Sequence, residues 1–436
     1  VEPARHAVPA PGETVGNTDH PAAVVVGPVC VPITVQDPAN VPHGVEHRTL
    51  PKLDPRTGET LKYIEESLTA QGLKLFWQSF MRNVLTTPNI KKAYVELFGD
   101  VQLGEVGLSK FSPEQIEAAM EMNYALRSAA GVPLRKSNGK WELCQKDGKS
   151  CRAVVDNGIE LLVLGAVACK VFEHLILGRG GIFEKLSIKH KARTDVLDEF
   201  VKECCGPFKE EVVGLEVDQT AMEAHERAPG SLEFVMKAVQ HVANVIGHTY
   251  SGGFCARYQA KLEMDMDKGM RLSIKVLDTT AVGGKRQLKL AFEDFYLDSG
   301  WLLTSAANFI QELSATVCSM VSNPQHLFCR DQKGEFRLVN GTHNFKFKSR
   351  EFTDPDGKKF TKDIYLRPKV EGDDVGGQTS KWVHDLKLAD QIRDNFADAG
   401  YSAKIKTILN GRLEFIGAHF VLRGGCMAKE YPWVPA

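Results

Sequence analysis

The sequence has no apolar run long enough to cross a bilayer. A span needs about 20 apolar residues in succession, and the nearest approach, 161–177, is broken by Lys170 and Glu173. Neither sign of charge is in excess, with 54 Lys and Arg against 55 Asp and Glu, which excludes a histone-like polycationic coat for nucleic acid. There is no CxxC pair, and Cys144 and Cys151 have no His nearby, so a zinc ribbon is a poor fit. Several of the ten Cys sit inside apolar helical or strand patterns, as reduced, buried thiols of the cytosol do. Internal repeats and low-complexity tracts are also missing. The first residue is Val rather than Met, and we read the chain as a processed or excised piece of a longer product such as a polyprotein. What is there is ordinary soluble-protein composition, 43% hydrophobic and 25% charged. The 436 residues suffice for two or three subdomains around a sizeable core.

Taken in order, residues 1–55 are rich in Pro, Val and His and read as an extended arm. Apolar residues at three-to-five spacing predict a helix over 59–85. A capping box at Ser112-Pro113-Glu114-Gln115 starts another, running through about 129. A basic hairpin follows over 134–155, with Arg135, Lys136, Lys140, Lys146, Lys149 and Arg152, turning at Asp147-Gly148. A buried helix is expected over 160–177, then a second basic cluster of Lys185, Lys189, Lys191 and Arg193. Either cluster binds phosphate or is a solvated face. The apolar strand 212–217 ends at Asp218, and 221–246 reads as helical with a break at Pro229-Gly230. Antiparallel strands are expected over 254–292, a helix over 302–320, a strand-rich insert over 324–362, a helix over 381–397 and a hairpin over 412–423.

Three separated pieces carry polar chemistry. The first is Asp218 at a strand end, with a second acid, Glu223, five residues on. The second is Ser299-Gly300 ahead of a helix bearing Thr304, Ser305 and Asn308. The third is Gly372-Asp373-Asp374 after an apolar strand. Side chains alternate along a strand, so two successive Asp reach one site only from a tight turn. Paired carboxylates held that way are hard-oxygen ligands for a divalent cation. The plainer alternatives are an N-cap for Asp218, helix-face polar residues for the second piece, and a solvated hairpin turn for the third.

In that order the pieces resemble motifs A, B and C of the viral RNA-dependent RNA polymerases, in their DxxxxD, SGxxxTSxxN and GDD forms. The tombus-, noda- and flavi-like positive-strand viruses are nearest in flavour. The middle piece is the most specific, with five fixed positions in ten. Residues 396–404, with Gly400-Tyr401 and Lys404, are similar to motif D, and 413–420 looks like the motif E hairpin. The basic hairpin sits where motif F belongs, so the resemblance covers roughly 140–425.

The resemblance implies an α+β right-hand polymerase whose antiparallel palm sheet is backed by helices. It implies fingers over 56–211, a palm over 212–425 with a fingers insertion at about 250–295, and the start of a thumb or a truncated tail over 426–436. The thumb would then be largely absent from this chain, cut away or supplied by another. The implied activity is RNA-directed RNA synthesis from NTPs with two Mg²⁺ or Mn²⁺ ions held by Asp218, Asp373 and Asp374. Lys404 would protonate or screen the leaving pyrophosphate; a surface Lys is the alternative. Lys149 and Arg152 would clamp the triphosphate, while Ser299, Gly300, Thr304, Asn308 and Glu223 would meet the ribose and template. Glu223 departs from the usual Asp, which alters reach toward Asn308. Implied partners are template and product RNA, NTPs and other viral replication proteins, in the host cytoplasm at membrane-associated replication complexes. Two rivals stay open: a reverse transcriptase, and a non-catalytic RNA-binding replication protein with a truncated hand.

Overall fold

The computed structural model describes residues 52–103, 159–204, 211–219, 231–250, 303–328 and 346–427, apart from isolated positions. It also describes, in backbone alone, strands at 23–26, 29–34, 134–139, 142–143, 153–156, 273–281, 284–292 and 434–435. Strands β1 (Ala23–Val26) and β2 (Val29–Thr34) are followed by helices α1 (Leu68–Asn83) and α2 (Thr87–Phe98). Strands β3 (Leu134–Gly139), β4 (Glu142–Leu143) and β5 (Ala153–Asp156) precede α3 (Ile159–Leu177) and α4 (Arg193–Cys204). Next come β6 (Val212–Gln219), α5 (Ser231–Thr249), β7 (Ser273–Ala281), β8 (Gly284–Phe292) and α6 (Thr304–Met320). Short strands β9 (Lys346–Lys348), β10 (Phe352–Thr353) and β11 (Lys359–Phe360) lead to the long pair β12 (Asp363–Glu371) and β13 (Asp374–Ser380). Helices α7 (Lys381–Asp385) and α8 (Ala389–Asp398) then precede β14 (Ala403–Ile408), β15 (Gly411–Phe415), β16 (Ala418–Arg423), β17 (Cys426–Met427) and β18 (Val434–Pro435).

The class is α+β, organised on a five-stranded sheet in the order β14-β6-β13-β12-β9 with every neighbouring pair antiparallel. Strand β6 lies inside it and is buried at every position from Val212 to Val217, which is why it reads as a nearly unbroken apolar run. One face carries Leu215, Val217, Val370 and Val375 into the main core, where Ile310, Leu313 and Val317 of α6 join them. Behind α6, an aromatic cluster packs α1 against its neighbours: Phe80 stacks on Phe183 with centroids 6.3 Å apart, and Phe76 meets Phe328 edge-on at 5.0 Å. The opposite face is covered by α4 and the β15–β16 hairpin, whose Phe200, Phe415 and Phe420 form a second, smaller core. Among the described residues no helix is long and apolar enough to cross a membrane.

Several expectations shift. The helix expected over 59–85 begins only at Leu68, because Ser67 caps it, its Oγ accepting from the Ala70 N–H at 3.1 Å. The residues before it bridge instead to the end of α8, through Tyr63 and Ala399. The single helix expected over 381–397 is two, broken where Lys387 takes φ 53° and Leu388 is sunk completely. The basic hairpin pairs β3 with β5, Lys136 opposite Asp156, though its turn at Asp147-Gly148 lies outside the described residues. The capping-box helix lies largely outside them too. Helices α2 and α4 were not expected.

Candidate active site

The acidic turn is built by local geometry. Glu371 pairs with Asp374 across the β12–β13 ladder, leaving Gly372 and Asp373 as a two-residue loop. Gly372 has φ 60° and Asp373 does not share a positive φ, the pattern of a type II′ hairpin turn, which requires Gly at its first central position. The two Asp therefore leave the turn in different directions. Asp373 is exposed at the tip, and Asp374 is drawn back into the sheet.

Strand β6 brings the third acid. Asp218 lies directly opposite Asp374 on one side and opposite Lys404 on the other. The Gln219 N–H donates to the Asp373 carbonyl at 3.3 Å, tying the end of β6 to the turn itself. Directly opposed residues of an antiparallel pair share a face, with side chains about 5 Å apart at Cβ. The Lys404 ammonium stands 3.6 Å from Asp218 Oδ2, an exposed pair of little energetic weight.

Below this rim the same face holds an ordered set of acids. Asp374 Oδ2 accepts from the Ile416 N–H at 2.8 Å, and Glu216 Oε2 accepts from the Glu414 N–H at 3.1 Å. Glu216 Oε1 meets Lys406. The β15–β16 hairpin is thus held to the sheet by two carboxylates that grip its backbone. Burial pushes the Asp374 carboxyl up to about 7; the Ile416 N–H opposes this, and the charges of Asp373, Asp218 and Glu216 add to it. Glu371 is raised as well, by burial, with Lys189 opposing.

Thr304 opens α6 and Asn308 follows one turn later, both half-buried. One turn further, Glu312 is fully buried and feels Asp373, Asp374 and Asp218, in that order, among the charges around it. Thr304, Asn308 and Glu312 thus lie on one i, i+4 stripe of α6. Lys149, Arg152, Glu223, Ser299 and Gly300 lie outside the described residues. Of the second basic cluster, Lys189 pairs with Glu173 at 2.7 Å and Lys191 with Glu199 at 2.9 Å, so these two lysines are neutralised within the fold.

Among the described residues no three Asp, Glu, His or Cys side chains are gathered closely enough to hold a metal ion as they stand. The donor chemistry nevertheless suits a hard divalent cation. Asp218, Asp373 and Asp374 offer only carboxylate oxygens, and the like charges that raise Asp374 are what a cation would relieve. Sequence reasoning missed Glu216, Glu312 and Gln219. Glu216 lies two residues before Asp218 and so shares its face, and Glu312 is the lone acid of α6, one turn beyond Asn308. No protein-family model matches the sequence, and a search of curated proteins finds no match.

Proposed function

We propose that this chain is a template-directed nucleotidyltransferase, an RNA-directed RNA polymerase of the right-hand kind. In this reading the five-stranded sheet is the palm and the N-terminal half supplies the fingers. The observation that carries the reading is the register of the central sheet. It sets Asp218 opposite Asp374 and bonds the next residue, Gln219, to Asp373, joining acids far apart in the chain.

Asp218 and Asp373 would hold a pair of Mg²⁺ or Mn²⁺ ions, with Asp374 as a supporting ligand. When bound, such a pair activates a 3′-hydroxyl and neutralises a departing pyrophosphate. The chain's own residues do the rest. Asp374, fixed by the Ile416 N–H, keeps the motif E-like hairpin against the sheet, where a growing strand would be supported. Lys404, beside Asp218 at the sheet edge, is available to screen or protonate the leaving group. Thr304 and Asn308 offer hydrogen bonds on the helix side, the means by which a ribose 2′-hydroxyl is recognised. Lys149 and Arg152 would clamp the triphosphate, and Ser299, Gly300 and Glu223 complete the ribose and template contacts.

The test is nucleotide incorporation on a primed or unprimed RNA template with each divalent cation. Asp373→Ala and Asp218→Asn should each reduce incorporation by about a thousandfold or more, the scale set by losing a metal-held transition state. Circular dichroism and RNA binding should barely change. Wild-type-like synthesis by either variant would end the reading, and a preference for dNTPs would transfer it to reverse transcription.

A further inference from the structure

Two buried polar side chains near the acidic turn are left over once the site has been described. Gln219 is 2% exposed, and neither its amide oxygen nor its amide nitrogen has a hydrogen-bond partner among the described residues. Leu215 and Val217, on the same strand, enter the main core beside Ile310 and Leu313 of α6. By alternation Gln219 shares the side of Leu215 and Val217, away from Asp218. Glu312 is 0% exposed; its Oε1 accepts from the Thr316 hydroxyl at 3.2 Å and its Oε2 has no partner among the described residues.

Burial raises the Glu312 carboxyl well above its ordinary value, and the charges of Asp373, Asp374 and Asp218 among the described residues add to this. An anion sealed from water against three like charges is untenable, so the carboxyl carries its proton. A protonated carboxyl is a donor in need of an acceptor, and Gln219 is a buried acceptor in need of a donor. Both belong to the same end of the sheet: the Tyr401 hydroxyl bonds to Gln311, the neighbour of Glu312, and Ala403, two residues on from Tyr401, lies opposite Gln219.

We infer that Glu312 and Gln219 form a neutral pair bridged by one buried water, which locks the Asp218 end of β6 to the helix bearing Thr304 and Asn308. The pair positions; neither residue touches substrate. It would make the metal-holding strand and the ribose-sensing helix move as one body, a consequence that rests on the polymerase reading. The pairing itself does not.

Glu312→Gln retains an acceptor for Thr316 and a donor for Gln219, and is neutral at every pH. Its stability and incorporation rate should stay within about twofold of wild type with an unchanged pH profile. Glu312→Met and Gln219→Met should each lower kcat about tenfold with a smaller change in KM. In unfolding, each should lose about tenfold in the equilibrium constant, and the double variant should lose little more than either. Additive losses, or a Glu312→Gln variant as impaired as Glu312→Met, would overturn the pair. The wild-type infrared spectrum at neutral pH should contain protonated-carboxyl intensity, beyond that of Asp374, which disappears in Glu312→Gln; no difference between the two spectra would also overturn the pair, whether or not the Met variants fold. Should wild type incorporate no nucleotide, the polymerase reading fails while the unfolding cycle and the infrared band still judge the pair.

Discussion

Asp374 concentrates the conflict of this site in one side chain. It is drawn into the sheet, bonded by the Ile416 N–H, and surrounded by Asp373, Asp218 and Glu216. Its carboxyl is raised from 3.8 to about 7 on folding. The folded state therefore holds this proton more tightly than the unfolded state, and between those two values it binds more protons. Stability from this group is fully present below about pH 4 and is lost as pH rises through about 7. A tenfold change in proton affinity is worth about 1.4 kcal/mol, so the full swing is on the order of a few kcal/mol, reduced by whatever solvent screens. Asp374→Asn keeps an acceptor for Ile416 and removes the charge. Urea unfolding should show the variant more stable than wild type by about 1–3 kcal/mol near pH 8 and indistinguishable near pH 4. Millimolar Mg²⁺ should stabilise wild type more near pH 8 than near pH 5.5, because it meets the carboxylate form. A variant with the wild-type pH slope would show that the burden lies on another group. The two Asp of the turn were legible in the sequence because strand, glycine and acid fall in one short stretch. Glu216 and Glu312 were not, because an acid inside an apolar run reveals nothing of its partner across the fold.

At the scale of elements, the packing of β13 against its neighbours depends on the two glycines that follow the acidic turn. A Cβ at Gly376 would lie 2.6–2.9 Å from the Phe415 ring and its Cβ, and one at Gly377 would meet the Arg367 carbonyl at 2.1 Å. The first obstruction is a side chain on a movable hairpin; the second is the neighbouring strand. Gly376→Ala should therefore cost about 1–3 kcal/mol and displace the hairpin, while Gly377→Ala should cost more and disturb the β12–β13 ladder. Thermal unfolding would rank the two, and a reversed order would mean that the hairpin, not the ladder, is the rigid partner. Glu216→Gln, which weakens the grip on Glu414 N–H and Lys406, should loosen the same hairpin by about 1–2 kcal/mol. The strands were legible at this scale because β6 is a short apolar run buried on both faces, while β15 alternates between exposed and buried positions. The break between α7 and α8 was hidden, since it turns on a non-glycine, Lys387, in the left-handed region. Helix α2 was overlooked although Thr86 caps it, a Pro stands in its first turn, and Ile90 and Tyr94 mark its buried side.

Across the whole molecule, the residues ahead of α1 act as a strap on the unit that carries Lys404. Arg56 bonds both Asp54 and Asp398, each at 2.7 Å, and the Ile64 N–H donates to the Asp398 carbonyl at 2.9 Å. Tyr63 bridges to Ala399. Directly beyond, the Tyr401 hydroxyl donates to Gln311 Oε1 of α6 at 3.3 Å, and β14 then runs along β6 with Lys404 opposite Asp218. The end of α8 is thus held from outside by Arg56 and from inside by Gln311. Composition offers no hint of this, because the partners of Arg56 include residues at opposite ends of the sequence. The Arg56 pairs are partly exposed, so Arg56→Ala should cost only about 1 kcal/mol overall and lower Tm by about 2 °C or less in a chain this long. The local effect should be larger, because few other described contacts tie 52–64 to α8. Amide exchange in 396–405 should quicken about tenfold or more, with the central strands β6 and β13 unchanged. Uniform acceleration would mean that the strap supports the global fold; no acceleration at all would mean that Gln311 and the β6 ladder hold β14 without it, leaving Arg56 as surface decoration.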